Sequence, residues 1–215
     1  MSDHLSGSRR DYSMGSLDEN DVDPSPVRQF DRWLAQIGEQ TNVVEANAMT
    51  LATVGDDGHP SARIVLLKGF DDRGLVFFSN YDSQKGSEID AHPQVSCVFY
   101  WPALERQVRV RGVAARIAET ESDAYFTSRP PGSQIGAAAS PQSSVVENRK
   151  SLERRFAELE DQVARGEPVM RPERWGGYRI APWEFEFWQG RPNRLHDRVR
   201  YRLVDGQWEI VRLAP

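Results

Sequence analysis

The sequence predicts a mainly β fold with inserted helices, an α+β chain whose antiparallel strands form a closed or nearly closed barrel. Three observations lead there. Runs of alternating apolar and polar residues recur along most of the chain. Short turn-rich connections such as "GDDGH" and "DG" join neighbouring runs as hairpins. Helical patterns are inserted between these strand groups, with no internal repeat and no evident second-domain boundary.

In chain order, residues 1–24 are polar and rich in Gly, Ser, Asp and Asn, which reads as a flexible N-terminal tail. Its "SRRDY" patch, by itself, reads as solvated. Residues 25–215 read as a single domain. Val27, Phe30, Leu34 and Ile37 recur at helical spacing, with Pro26 suited to a first turn and an end near Gly38. "AMTLATV" and "PSARIVLLKGF" are strands flanking "GDDGH", and "DDRG" turns the chain into "LVFFSN". "SQKGSEIDAHP" is a short helix stopped before Pro93. "QVSCVFYW" and "ERQVRVRGVAARI" are strands, the second alternating Val108 and Val110 with Arg109 and Arg111. Two short helices broken at Pro130 and Pro131 follow, then a longer helix with a largely solvated face. "WGGYRIAP", "EFEFWQG", "DRVRYRLV" and "QWEIVRLAP" close the chain as strands, the last two joined by a tight hairpin at Asp205-Gly206.

Composition narrows the function. Hydrophobic residues at 39% and charged residues at 27% are ordinary for a soluble globular protein. A net charge of −5 argues against broad nucleic-acid binding, so any cationic site is local. Cys97, the single cysteine, excludes an internal disulfide, gives no metal framework and reads as a buried hydrophobe. No apolar run reaches the ~20 residues of a membrane span, and the start lacks a signal-peptide core. The expectation is a cytoplasmic protein without nucleic-acid, membrane or metal partners.

The cationic residues cluster. Arg63 and Lys68 share one strand-like run, and their odd spacing puts them on opposite faces unless the strand bends or two anions lie nearby. Ser83 can cap the helix that Lys85 enters, a place suited to phosphate. Tyr125, Arg129 and Ser133 surround a helix stop and a helix start, forming a phosphate clamp. The same residues also fit a capped helix–turn–helix with a surface arginine. Near the C-terminus "EFWQGRPNRLHDR" gathers Trp188, Arg194, His196 and Arg198. There is no GxGxxG after a strand, no Walker loop and no HExxH. Phosphate sites with aromatics and few acid–base residues point to chemistry carried by a bound organic cofactor.

"RIVLLK", "VFFSN", "LERQVRVRG", "YFTSRPPGSQIGAAASPQSS", "WGGYRI" and "EFWQGRPNRLHDR" followed by "RLAP" occur in order from about residue 30 to the end. This set resembles the pyridoxamine/pyridoxine 5′-phosphate oxidase family. The resemblance implies a homodimer of FMN-binding split β-barrels with FMN at the subunit interface. It also implies oxidation of either phosphorylated vitamer to pyridoxal 5′-phosphate, with O2 reduced to hydrogen peroxide. By position it assigns FMN contacts to Arg63, Ile64, Val65, Leu66, Leu67 and Lys68, then to Phe78 and Ser79. Gln84, Lys85 and Gln107 follow, then Gln142, Ser143, Trp188 and Arg198. Substrate phosphate would meet Lys68, Tyr125, Arg129 and Ser133, with Arg194 and His196 as the catalytic pair at the pyridine ring. Arg9 and Tyr12 match a tail segment that folds over the site as a lid. Cofactor and substrate phosphates would then take the two faces of the Arg63–Lys68 run. The "RLHDR" element argues against a split-barrel reductase with another flavin-type carrier; a vitamer- or flavin-holding protein without turnover is the other rival. Two positions depart from the family pattern. Gln84 stands where arginine is common, a charge-assisted contact worth about 1.5–3 kcal/mol, unless Arg73 or another group compensates. Phe78 stands where tyrosine is often found.

Overall fold

The computed structural model describes residues 11–40 and 43–215; Arg9 lies outside the described residues. Five α-helices and nine strands are described. They are α1 (Pro26–Gly38), β1 (Ala48–Val54), β2 (Pro60–Leu66), β3 (Gly69–Asp71), β4 (Gly74–Asn80) and α2 (Gln84–Ala91). Next come β5 (Gln94–Trp101), β6 (Arg106–Arg116), α3 (Glu119–Ser128), α4 (Pro131–Ala139) and α5 (Arg149–Ala164). The chain ends with β7 (Trp175–Gln189), β8 (Asp197–Val204) and β9 (Gln207–Leu213). Among the described residues no helix is long and apolar enough to cross a membrane.

The strands form an antiparallel sheet in the order β2-β1-β5-β6-β7-β4-β3, with β8 on β7 and β9 on β8. The ladder is unclosed, where the alternation suggested a closed or nearly closed barrel, and β7 is where it splits. Residues Trp175 to Ile180 pair with β4, whereas Glu184 to Gln189 pair with β8. The two runs predicted here are one strand of 15 residues. Pro182, which has no N–H to give a ladder, falls between those two registers. Conversely, the run predicted over "PSARIVLLKGF" is broken after Leu66, so Lys68 stands outside a regular strand.

Contacts group the chain into two compact units. The described residues of the first are 11–40, 43–51, 96–112 and 182–215. Ser25 caps α1, and Pro26 opens it as expected of a first-turn proline. The helix buries Phe30, Trp33 and Ile37, each worth about 1.5–3 kcal/mol, with Phe30 against Phe99 and Trp33 edge-on to Phe187. Cys97 is fully buried in this core, which pushes its thiol up to about 12. Residues 11–24 of the expected tail are anchored here. One Glu105 oxygen accepts from the Ser13 and Met14 N–H groups at 2.7 and 2.9 Å, and Asp197 accepts from Leu17 N–H at 3.0 Å. The Asp205-Gly206 turn has positive φ at both positions, as a two-residue hairpin of this kind requires.

The second unit holds 52–95 and 113–181. Phe126, Ile135, Val169 and Trp175 form a buried cluster against which Phe156, Leu159 and Val163 of α5 pack, leaving the rest of that helix solvated. Ser83 caps α2 by accepting Gly86 N–H at 3.3 Å. A Cβ on Gly86 would stand 2.0 Å from the Tyr81 carbonyl oxygen, so only glycine lets this helix seat so closely.

Candidate functional site

The second unit contains a cavity of about 660 Å³, within the size range of small-molecule sites. Its wall is drawn from β2, β4, α2, α3, α4 and the segment 140–143. Among the described residues that wall carries four cations, Arg63, Lys68, Lys85 and Arg129, and no Asp, Glu, His or Cys. A strongly cationic wall on a chain of net charge −5 selects for anions.

Lys85 is the most enclosed cation, 7% exposed. Its ammonium reaches only neutral acceptors: Ser79 Oγ and Ser83 Oγ at 3.2 Å, and Gln142 Oε1 at 3.1 Å. Burial, then the neighbouring Arg63 charge, lowers its pKa, while Glu88 opposes. Arg63 donates to Glu88 at 3.0 Å, to Ser61 Oγ at 2.6 Å and to Thr53.

Arg129 is the C-cap of α3, where Pro130 stops the helix. Its guanidinium lies 4.8 Å over the Trp175 ring, a cation–π contact. Among the described residues its Nη1 is buried without a hydrogen-bond partner, and an unpaired buried donor is costly unless a ligand takes it. Tyr125 stacks on Phe78 at 3.8 Å between ring centroids, and Phe78 on Trp175 at 5.4 Å. Burial raises the Tyr125 pKa, opposed by Arg129, so its hydroxyl keeps its proton for donation.

Most positions marked by the motifs meet here: Arg63 to Leu66, Lys68, Phe78, Ser79, Gln84, Lys85, Tyr125, Arg129, Gln142 and Ser143 all line the cavity. Arg63 and Lys68 share it because the strand ends between them. Leu67 instead points into the core, 4% exposed. Ser133 is exposed and off the wall, because α4 starts at Pro131 rather than at Ser133. Arg73 pairs with Asp71 at 2.7 Å in a smaller neighbouring cavity and does not line the main one, so it does not stand in for an arginine at position 84. The motif reading missed Asn80, Ser61, Ser140 and Trp175. Asn80, Ser140 and Trp175 lie within the quoted motifs "VFFSN", "YFTSRPPGSQIGAAASPQSS" and "WGGYRI"; Ser61 lies outside them.

Tyr12, Gln107, Trp188, Arg194, His196 and Arg198 belong to the other unit. There Trp188 and His196 rings lie 4.7 Å apart, with Tyr12 edge-on to both at 5.7 and 5.6 Å. His196 Nδ1 accepts the Arg191 N–H at 3.1 Å, which leaves the proton of the neutral ring on Nε2. Burial, then Arg194, lowers its pKa, while Asp197 opposes. Arg194 is exposed, on left-handed backbone with φ 62°. Gln107 is half-buried on β6. Arg198 is already engaged by Glu186 at 2.9 Å and the Ala214 carbonyl at 2.8 Å, and Arg109 holds the other Glu186 oxygen at 3.2 Å.

Residues 38–163 match the family model described as pyridoxamine 5′-phosphate oxidase. A pyridoxine/pyridoxamine 5′-phosphate oxidase of Rubrobacter xylanophilus is 56% identical over 211 residues, covering 98% of this chain and 96% of the relative. The chain belongs to the pyridoxamine 5′-phosphate oxidase family. Another relative so named, from Synechocystis sp., is 52% identical over 98% of both chains. A second family model, described as the pyridoxine 5′-phosphate oxidase C-terminal dimerisation region, matches residues 175–215, the stretch holding Trp188 to Arg198. Among solved structures, PhzG from Burkholderia lata, in complex with tetrahydrophenazine-1-carboxylic acid, has a TM-score of 0.86 at 33% identity, covering 94% of this chain and all of that one. A pyridoxamine 5′-phosphate oxidase-related, FMN-binding protein from Nostoc punctiforme shares the fold, with a TM-score of 0.70 at 18% identity over 89% of this chain and 98% of that one.

Proposed function

We propose that the protein is an FMN-dependent oxidase that converts pyridoxamine and pyridoxine 5′-phosphates to pyridoxal 5′-phosphate, acting as a cytoplasmic homodimer. The observation that carries this reading is the cavity wall, with its four cations, its aromatic stack and no carboxylate. Among the described residues only Arg63 of these cations pairs with a carboxylate, and two of the others are enclosed. Lys85 is buried among neutral oxygens, and Arg129 has an orphaned Nη1. Two phosphates, one on a cofactor and one on a substrate, satisfy both. The residues present therefore fit FMN, which would be held by Lys85, Ser79, Gln142, Ser143 and Arg63, along the β2 edge from Ile64 to Leu66. Bound FMN would supply the two-electron acceptor for hydride from substrate C4′ and return the pair to O2 as hydrogen peroxide.

The chain's own residues bind and orient. Arg129 donates its fork and Tyr125 its hydroxyl to the substrate phosphate, with Lys68 adding charge. From the C-terminal element, Arg194 orients the pyridine ring and His196, neutral and protonated on Nε2, donates to a substrate polar group. Gln107, Trp188 and Arg198 complete the cofactor's surroundings, and the dimerisation region that contains the last two supports a subunit-interface site. Tyr12 closes over His196. The relatives above 50% identity favour B6 vitamers over the ligand seen in PhzG.

The test is turnover of pyridoxamine 5′-phosphate against unphosphorylated pyridoxamine, followed as peroxide and aldehyde. Two charge-assisted contacts to phosphate predict a preference in kcat/KM of about a hundredfold or more. Equal turnover of both, or of neither, contradicts the reading.

A further inference from the structure

One turn after Gln84 and Lys85, α2 carries Glu88, which is 8% exposed and does not line the cavity. Its carboxylate is nonetheless an acceptor for two residues that do. Gln84 Nε2 donates to Oε1 at 2.8 Å, and Arg63 Nη2 donates to Oε2 at 3.0 Å. Thr53 Oγ1 donates to Oε2, and Ser61 Oγ lies 2.8 Å from both oxygens. Burial by itself would raise this pKa, but the donors from Thr53, Ser61, Gln84 and Arg63 outweigh it and hold the group at about 2. Glu88 is therefore a fixed negative charge behind the cationic wall, facing Arg63 and Lys85.

We propose that Glu88 is a positioning residue for the anion-binding end of the cavity, fixing the Arg63 guanidinium and turning position 84 away from the anion. This rests on the flavin reading of the cavity. It changes the meaning of the departure at Gln84. An arginine there would stand four residues before Glu88 on one helix face, the spacing at which opposite charges pair. Its charge would be spent on Glu88, so the chain loses little phosphate affinity by carrying glutamine. Arg63 and Lys85 bind the anion instead.

A four-protein cycle tests this: parent, Gln84→Arg, Glu88→Gln and the double variant, each titrated as apoprotein with FMN by fluorescence quenching. With Glu88 present, Gln84→Arg should shift Kd by no more than about twofold. In the Glu88→Gln background the same change should tighten FMN by about tenfold or more, as the arginine is freed to make a charge-assisted contact. Equal effects in both backgrounds overturn the inference. Glu88→Ala reads the positioning itself. It should weaken FMN by about tenfold although it removes a negative charge, and Glu88→Gln, which still accepts from Arg63, should recover most of that loss. Tighter binding by Glu88→Ala would mean that Glu88 acts only as a repulsive charge. If none of these proteins binds FMN, the flavin reading fails separately. Thermal unfolding of the apoproteins then decides, because pairing at position 84 makes the two substitutions non-additive in Tm and additivity overturns it.

Discussion

In the proposed flavin site, Lys85 is a buried side chain that would serve binding at the expense of the unliganded fold. Its ammonium has lost water and gained only neutral oxygens, so the charge is under-compensated until an anion arrives. Lys85→Met keeps the volume and removes the charge. The apoprotein should be as stable as the parent or more so in thermal unfolding, while FMN weakens by about tenfold to a hundredfold in the same titration. A less stable apoprotein with unchanged FMN affinity would make Lys85 a structural residue. His196 gives a pH prediction with a definite sign. Its folded pKa is lowered from the ordinary 6.5, so the fold favours the neutral ring. That stabilisation is complete above about 6.5 and is lost as pH falls through the lower folded value. A proton on Nδ1 would also displace the Arg191 N–H, loosening the 191–196 turn. Titration of the His196 ring protons by NMR should give a midpoint below 6.5; a midpoint above it would mean that Asp197 outweighs burial and Arg194.

At the scale of elements, α2 is the clearest case of sequence setting a site. Ser83 stops the chain and caps the helix, Gly86 lets it seat against Tyr81, and Gln84, Lys85 and Glu88 are aimed by that seating. Gly86→Ala would have to move backbone, and overpacking of this kind costs about 1–3 kcal/mol. Urea unfolding should show that loss together with weakened FMN binding, whereas an unchanged midpoint would mean that the helix relaxes freely. Elements with local signals were legible: Pro26 for α1, Ser83 for α2, the proline pair between α3 and α4, and Asp205-Gly206 for the last hairpin. Features fixed by pairing were not. The break before Lys68 is set by β3 returning on β4, and the continuity of β7 by two different partners on its two halves. Neither leaves a mark in periodicity. Ser133 does not start α4, because Pro131 opens it two residues earlier, in keeping with the preference for proline at a first helical position.

For the whole molecule, four cations on one cavity wall within a chain of net charge −5 make that wall locally attractive to anions. The family motifs made most of this wall legible, because each sits on a short local run. Glu88 was not, since three of its four donors, Thr53, Ser61 and Arg63, reach it only through strand pairing and packing. Nor was the division of the marked residues between two units, with Trp188, Arg194, His196 and Arg198 in the one that contains the dimerisation region. The central claim is that bound flavin takes electrons from a phosphorylated vitamer, and anaerobic addition of pyridoxamine 5′-phosphate to the FMN-loaded protein tests it most directly. The account predicts that the visible flavin absorbance bleaches with one pyridoxal 5′-phosphate formed per flavin, and that it returns with peroxide when O2 is admitted. Flavin that binds but stays oxidised under saturating vitamer would contradict it.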